Sequence, residues 1–134
     1  MTNLESSNVT VAKSAEHIFN FLQDLTNFSQ LLPEDRVENF EADKDSCSFQ
    51  IKGLTGIQIK VADRQPNTLV HTVSQTVKPF PFSLDMHIEA IDENSCHVQF
   101  KFHAEINSFL KMMVERPLGN FLGMLATSVQ ELNA

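Results

Sequence analysis

The sequence predicts a single α+β domain spanning residues 1–134, in which a curved seven-stranded antiparallel sheet wraps a long carboxy-terminal helix. Two short helices are expected between the first and second strands. Three observations carry this. From about residue 36 to residue 105 apolar side chains recur at every second position, the period of strands with one wet face. Over Asn107–Leu132 they recur at every third or fourth, the period of a helix. No linker, internal repeat or low-complexity tract interrupts the chain.

Taken in order, residues 5 to 12 (ESSNVTVA) alternate and are rich in β-branched residues, which predicts a first strand. Ser14 offers a helix N-cap and Glu16 places a carboxylate in the first turn. Ile18, Phe21, Leu22 and Leu25 follow at helical spacing, and a second short helix over about 27–32 should end at Pro33. Alternation then marks strands around Cys47–Ile51, Ile57–Val61, Phe82–Ile88 and Val98–Ala104, with weaker ones at 36–42 and 68–77. Turn-rich residues at 53–56 and 92–95 predict hairpins, and Pro79 and Pro81 interrupt the sheet between the fifth and sixth strands. In the last segment Leu110, Val114, Leu118, Phe121, Leu125, Val129 and Leu132 form one stripe, with Pro117 expected to kink or restart the helix.

Composition narrows the functional classes. The chain has eleven Phe, no Trp and no Tyr, so its aromatic surface lacks a polar handle and suits an apolar interior. A net charge of −7 with scattered basic residues excludes the phosphate-neutralising clusters of nucleic-acid binders. No apolar run reaches the ~18 residues of a membrane helix and no signal peptide is evident, so the protein is expected to be cytoplasmic and not membrane-inserted. Two cysteines fit a reducing compartment.

The segments VAKSAEHIFNFLQDLTNFSQLLP at 11–33 and SFLKMMVERPLGNFLGMLATSVQEL at 108–132, with hairpin strands between, resemble the START-like superfamily. This SRPBCC-type group shares the helix-grip fold of the major pollen allergens and the polyketide cyclase/dehydrase-like proteins. The resemblance covers the full chain and implies a helix grip, but its motifs are structural and carry no catalytic signature. Members include lipid carriers, hormone receptors, cyclases, quinone-binding proteins and chaperone regulators.

A curved sheet gripping one helix must fill its concave side with side chains or a ligand. The expected wall comprises Phe49, Ile51, Ile57, Ile59, Val61, Leu69, Val73, Leu84, Met86, Phe100 and Phe102. His71 alternates with Leu69 and Val73 and is expected to face inward, as a ligand contact or an acid-base group. Gln75 shares that face, and Asp63 and Arg64 read as a rim ion pair. On the sixth and seventh strands His87, His97 and His103 fall outward; closing the hairpin over residues 93–95 sets Asp85 opposite His103 and His87 opposite Lys101. That arrangement reads as a solvated face rather than a metal site. Cys47 and Cys96 read as structural thiols on strands too far apart for a disulfide.

Phe109, Met112 and Met113 leave the terminal stripe. Either Pro117 turns them to the pocket mouth, with Arg116 as polar anchor, or they form a second apolar surface and a homodimer contact. Gly119 and Gly123 suggest tight internal packing. The leading expectation is non-catalytic binding of a hydrophobic small molecule (lipid, polyketide or quinone-like), without metal or cofactor. A cyclase or dehydratase using His71, and a protein-interaction module with a filled core, are the alternatives.

Overall fold

In a computed structural model that describes residues 2–32, 35, 37–51, 56–75 and 81–132, the period-two segments join into one antiparallel sheet. Its strands are β1 (Thr2–Glu5), β2 (Val9–Val11), β3 (Val37–Ala42), β4 (Ser46–Ile51), β5 (Gly56–Gln65), β6 (Leu69–Ser74), β7 (Phe82–Asp92) and β8 (Ser95–Ala104). The order across the sheet is β1-β8-β7-β6-β5-β4-β3, with β2 also paired to β8. The expected seven strands thus appear as seven in a row. The first of them, expected over 5–12, begins earlier and is broken in two, β1 over Thr2–Glu5 pairing with the end of β8 and β2 over Val9–Val11 with its start.

Ser6 explains the break. Its N–H donates to the Phe100 carbonyl at 2.9 Å and its Oγ accepts from the Phe100 N–H at 3.0 Å. One buried hydroxyl therefore continues the ladder where the backbone leaves it. Further irregularities lie between Glu38 and Glu41, Val61 and Asp63, and Ala90 and Asp92. Each such bulge adds local bend and twist, which curves the sheet. The β5–β6 turn has its own signature: Thr68 N–H donates to the Gln65 carbonyl, Pro66 is second and Asn67 takes a positive φ of 63°.

Helix α1 (Ala15–Leu22) starts at Ser14, whose Oγ accepts from the His17 N–H at 3.0 Å, with Glu16 in the first turn. A 3-10 helix follows over Leu25–Leu31, capped by Asp24, in place of the expected second helix; Pro33 lies outside the described residues. So do residues 53–55 of the first expected hairpin turn and Pro79. Helix α2 (Ser108–Gln130) is capped by Asn107, whose Oδ1 accepts from the Leu110 N–H, and runs through Pro117 without ending. It buries Val114, Leu118, Phe121, Leu122, Leu125, Ala126 and Val129 against β8, β1, β2 and the 3-10 helix. Helix α1 covers part of β6, β7 and β8 on the same side. No described helix is long and apolar enough to cross a membrane.

Arg64 fastens the two halves. Its guanidinium donates to the carbonyls of Gln23 and Lys44 and to Asp45 Oδ1 at 2.8 Å, joining the end of α1, the β3–β4 connection and β5. The expected pairing with Asp63 does not form, because the bulge after Val61 turns Arg64 to the side bearing α1; Asp63 accepts from Gln65 instead.

Two stability outcomes follow from these contacts. Leu125 is wholly buried at the centre of the stripe, so Leu125→Ala should cost about 2–5 kcal/mol in urea denaturation. Ser6→Ala strands the Phe100 N–H and should cost about 1–3 kcal/mol; a loss indistinguishable from zero would mean that water replaces the hydroxyl.

Candidate ligand-binding face

The concave side of the sheet is nearly all hydrocarbon. Cys47, Phe49 and Ile51 from β4, Ile57 and Ile59 from β5, Val70 from β6, Leu84, Met86 and Ile88 from β7, and Val98, Phe100 and Phe102 from β8 are buried there. Val61 is half-buried against the same core. Beneath the middle of α2 the space is filled by rings: Phe49 lies with its centroid 5.9 Å from both Phe28 and Phe121 and 6.1 Å from Phe40. Nearer the start of α2, Phe82 stacks on Phe102 at 5.2 Å. Over β4 to β7 the concave face has no α2 backbone packed on it. The start of α2, Ile51, Gly56, Ser74 and Phe82 all lie at one end of the sheet.

Polar groups on this wall are few and occupied. Thr72, fully buried, donates its hydroxyl to the Leu84 carbonyl at 2.7 Å. Ser74 Oγ accepts from the Phe82 N–H. Among the described residues the only buried side chains able to ionise are the two cysteines. Burial pushes the Cys47 thiol up to about 12, with Asp43 adding to it, and burial also raises Cys96. Both are free thiols.

His71 and Val73 do not join the wall. Val70 and Thr72 are the inward residues of β6, so the strand's phase is opposite to the one expected. The cross-strand register shows why. His71 pairs with Asp85, which lies between the inward Leu84 and Met86 and must itself point out. His71 Nδ1 is hydrogen-bonded to Asp85 Oδ1. Neighbouring register pairs extend this into a ladder across five strands, Glu5–Lys101–Asp85–His71–Asp63, alternating in sign apart from the imidazole's own state. The β7–β8 register differs by two from the expected one, because a two-residue turn and the Ala90/Asp92 bulge replace the longer closure. Asp85 therefore faces Lys101, and His103 is its diagonal neighbour at 3.9 Å. Gln75 donates to the Ile59 carbonyl. Shallow grooves of about 370 and 400 Å³ cross the convex side over β3–β5, lined by polar residues such as Glu41, Ser48 and Gln58. No metal-holding cluster occurs among the described residues.

Phe109, Met112 and Met113 are 71%, 82% and 59% exposed. Pro117 removes one N–H from α2 but does not rotate the helix, so this trio and Arg116 stand on the face away from Val114 and Leu118. They form the second apolar surface rather than a pocket mouth. Gly119 and Gly123 are not tightly packed either: a Cβ added at either would meet no atom within 4 Å.

His87, on the convex face, is held below its ordinary 6.5 by burial first and then by Lys101. The unfolded chain takes up this proton more readily than the folded one. The neutral imidazole's contribution is therefore intact above about pH 6.5 and declines as pH falls through that value towards the folded pKa. His87→Gln should flatten this part of the profile of urea midpoint against pH between about pH 7 and pH 5; an unchanged profile would place the sensitivity elsewhere.

No family model and no curated protein matches the sequence. Solved structures do match the fold. A START superfamily protein from Mycobacterium smegmatis is 15% identical, with 98% of this chain and 99% of that one covered at a TM-score of 0.68. Truncated norcoclaurine synthase from Thalictrum flavum is 17% identical, covering 97% and 91% at 0.74. The di-domain ARO/CYC BexL of the BE-7585A biosynthetic pathway is 10% identical at 0.67, matching 96% of this chain and 46% of its own. With its antiparallel sheet curved around one long terminal helix, the chain has the helix-grip fold, shared with these solved structures.

Proposed function

We propose that the chain binds a hydrophobic small molecule, lipid-, polyketide- or quinone-like, against the concave face between the start of α2 and strands β4–β7, without catalysing its conversion. The observation that carries this is the chemistry of the wall. Ile51, Ile57, Leu84 and Phe102 are buried hydrocarbon, Thr72 and Ser74 are already hydrogen-bonded, and among the described residues no buried carboxylate, imidazole or ammonium accompanies them. General acid-base chemistry needs a titratable group within hydrogen-bond reach of the reacting atoms. His71, the candidate for that role, bonds Asp85 on the opposite side of the sheet. A wall of this kind selects for apolar bulk and shape. Phe49, Ile59, Val61, Met86 and Phe100 form the deeper part of it.

Native mass spectrometry of freshly purified protein should retain an apolar molecule, and a neutral apolar fluorophore should bind and be displaced by long-chain lipids. Leu84→Trp adds bulk to the wall and should weaken the fluorophore about tenfold, the equivalent of 1.4 kcal/mol. Val73→Trp makes a similar change on the convex side and should leave binding unaltered. Equal effects of both, or no binding by the native chain, would remove this reading.

A further inference from the structure

Helix α2 presents an outward face whose two halves differ in bulk. Its amino-terminal half carries Phe109, Met112 and Met113, adjacent at helical spacing and largely exposed. Taking ~200 Å² for a large apolar side chain, their exposed parts amount to roughly 400 Å². The carboxy-terminal half carries Gly119 and Gly123, with open space where a side chain would be, and exposed Thr127. At ~100° per residue, Met112, Gly119, Gly123 and Gln130 share one line to within about 20°. Both pairs are symmetric about residue 121.

We propose that this face docks a second copy of the chain, α2 against antiparallel α2, as an isologous dimer. A two-fold axis at the level of Phe121 sets Gly119 against the partner's Gly123, so the backbones approach closely at the crossing. It also sets Met112 beside the partner's Gln130, whose amide donates to the Thr10 carbonyl of its own chain, so each bulky half lies along the glycine-bearing half of the other. The charges agree with this direction. Arg116 and Glu131 are exposed, on the same side of the glycine line, and make no ion pair among the described residues. Under the two-fold, Arg116 comes beside the partner's carboxy-terminal turn and Glu131. Glu131 is the C-cap residue of its own helix, its backbone N–H donating to the Thr127 and Val129 carbonyls, so its carboxylate stands at the negative end, where a cation is favoured and an anion is not. A partner's guanidinium there compensates both. A stable interface covers ~800 Å² per partner, and the apolar trio supplies about half of that, the glycine ridge and flanking polar residues the remainder.

Sedimentation velocity of the full chain over a wide concentration range should show a monomer–dimer equilibrium. Gly119→Leu should yield monomers while circular dichroism stays unchanged and the urea midpoint at low concentration does not fall. Leucine is the better helix former and meets open space in the single chain, so loss of dimer cannot be ascribed to misfolding. Arg116→Glu should weaken association about tenfold or more by facing the partner's Glu131 with a like charge, and adding Glu131→Arg should restore it. A native chain that stays monomeric, whatever else covers the patch, overturns the proposal. So does a Gly119→Leu variant that remains dimeric, or a charge reversal that the second substitution fails to rescue.

Discussion

The seating of α2 on β8 is the contact on which the remaining structure depends. The buried stripe that includes Leu118, Leu125 and Val129 packs on β8 and on the β1 and β2 strands paired to it, while Phe121 reaches across to Phe49, whose ring also meets Phe28. A curved sheet leaves its concave side open to water unless something apolar lies across it, and this stripe is the largest apolar element available. Once α2 is fixed there, the first strand has to bend with the sheet edge. Ser6 allows the bend without leaving the Phe100 N–H unbonded. At the opposite side Arg64, on β5, fastens the end of α1 to the β3–β4 connection. What α2, α1 and the 3-10 helix leave of the concave face is covered by side chains, and the proposed ligand would lie against these.

Much of this was legible in sequence because burial imposes periodicity. The stripe from Val114 to Val129 and the alternation of β7 and β8 each have one correct phase, and both stand as expected. Strand β6 had two plausible phases. Leu69 and Val73 flank His71, Val70 and Thr72 interleave with them, and hydrophobicity alone does not separate the sets. The unused signal was in the neighbouring strand, where Asp85 must point outward and so takes its register partner with it. The β7–β8 register failed for a different reason: a bulge shifts pairing by whole residues without altering which face each side chain occupies. In α2, Pro117 suggests a kink or restart, yet Val114 and Leu118 on either side of it stay in one buried stripe. A long helix packed from Val114 to Val129 holds its register through one missing hydrogen bond.

The two sides of the sheet are divided by chemistry. The convex side carries the cross-strand ladder from Glu5 to Asp63, together with His87 and His103, and the concave side carries none of these groups. This division bears on activity. A carboxylate or imidazole on the concave wall would need a partner to offset the cost of its burial, and the ordered polar groups there are hydroxyls already bonded to backbone. For the proposed ligand, apolar contact of this kind orients by shape.

Helix α2 links the two proposals through its own geometry. Val114 and Leu118 line its inner side, Met112 and Gly119 its outer side, and the two sides are separated by one helix diameter, ~10 Å. The helix backbone lies against β8, β1, β2 and the 3-10 helix, while it meets β4 through the Phe121–Phe49 ring contact, so bulk inserted between it and β4–β7 is resisted by side chains rather than by a backbone contact. A ligand there that displaced the start of α2 would carry Met112 and Arg116 with it and change how the outer face meets a second copy. Linkage then requires the converse: association of two chains would change ligand affinity by the same factor. In the proposed dimer that coupling would be confined to the bulky half of the helix, because a crossing at residues 119 to 123 would lie over the part held by the buried Phe121, Leu122 and Leu125.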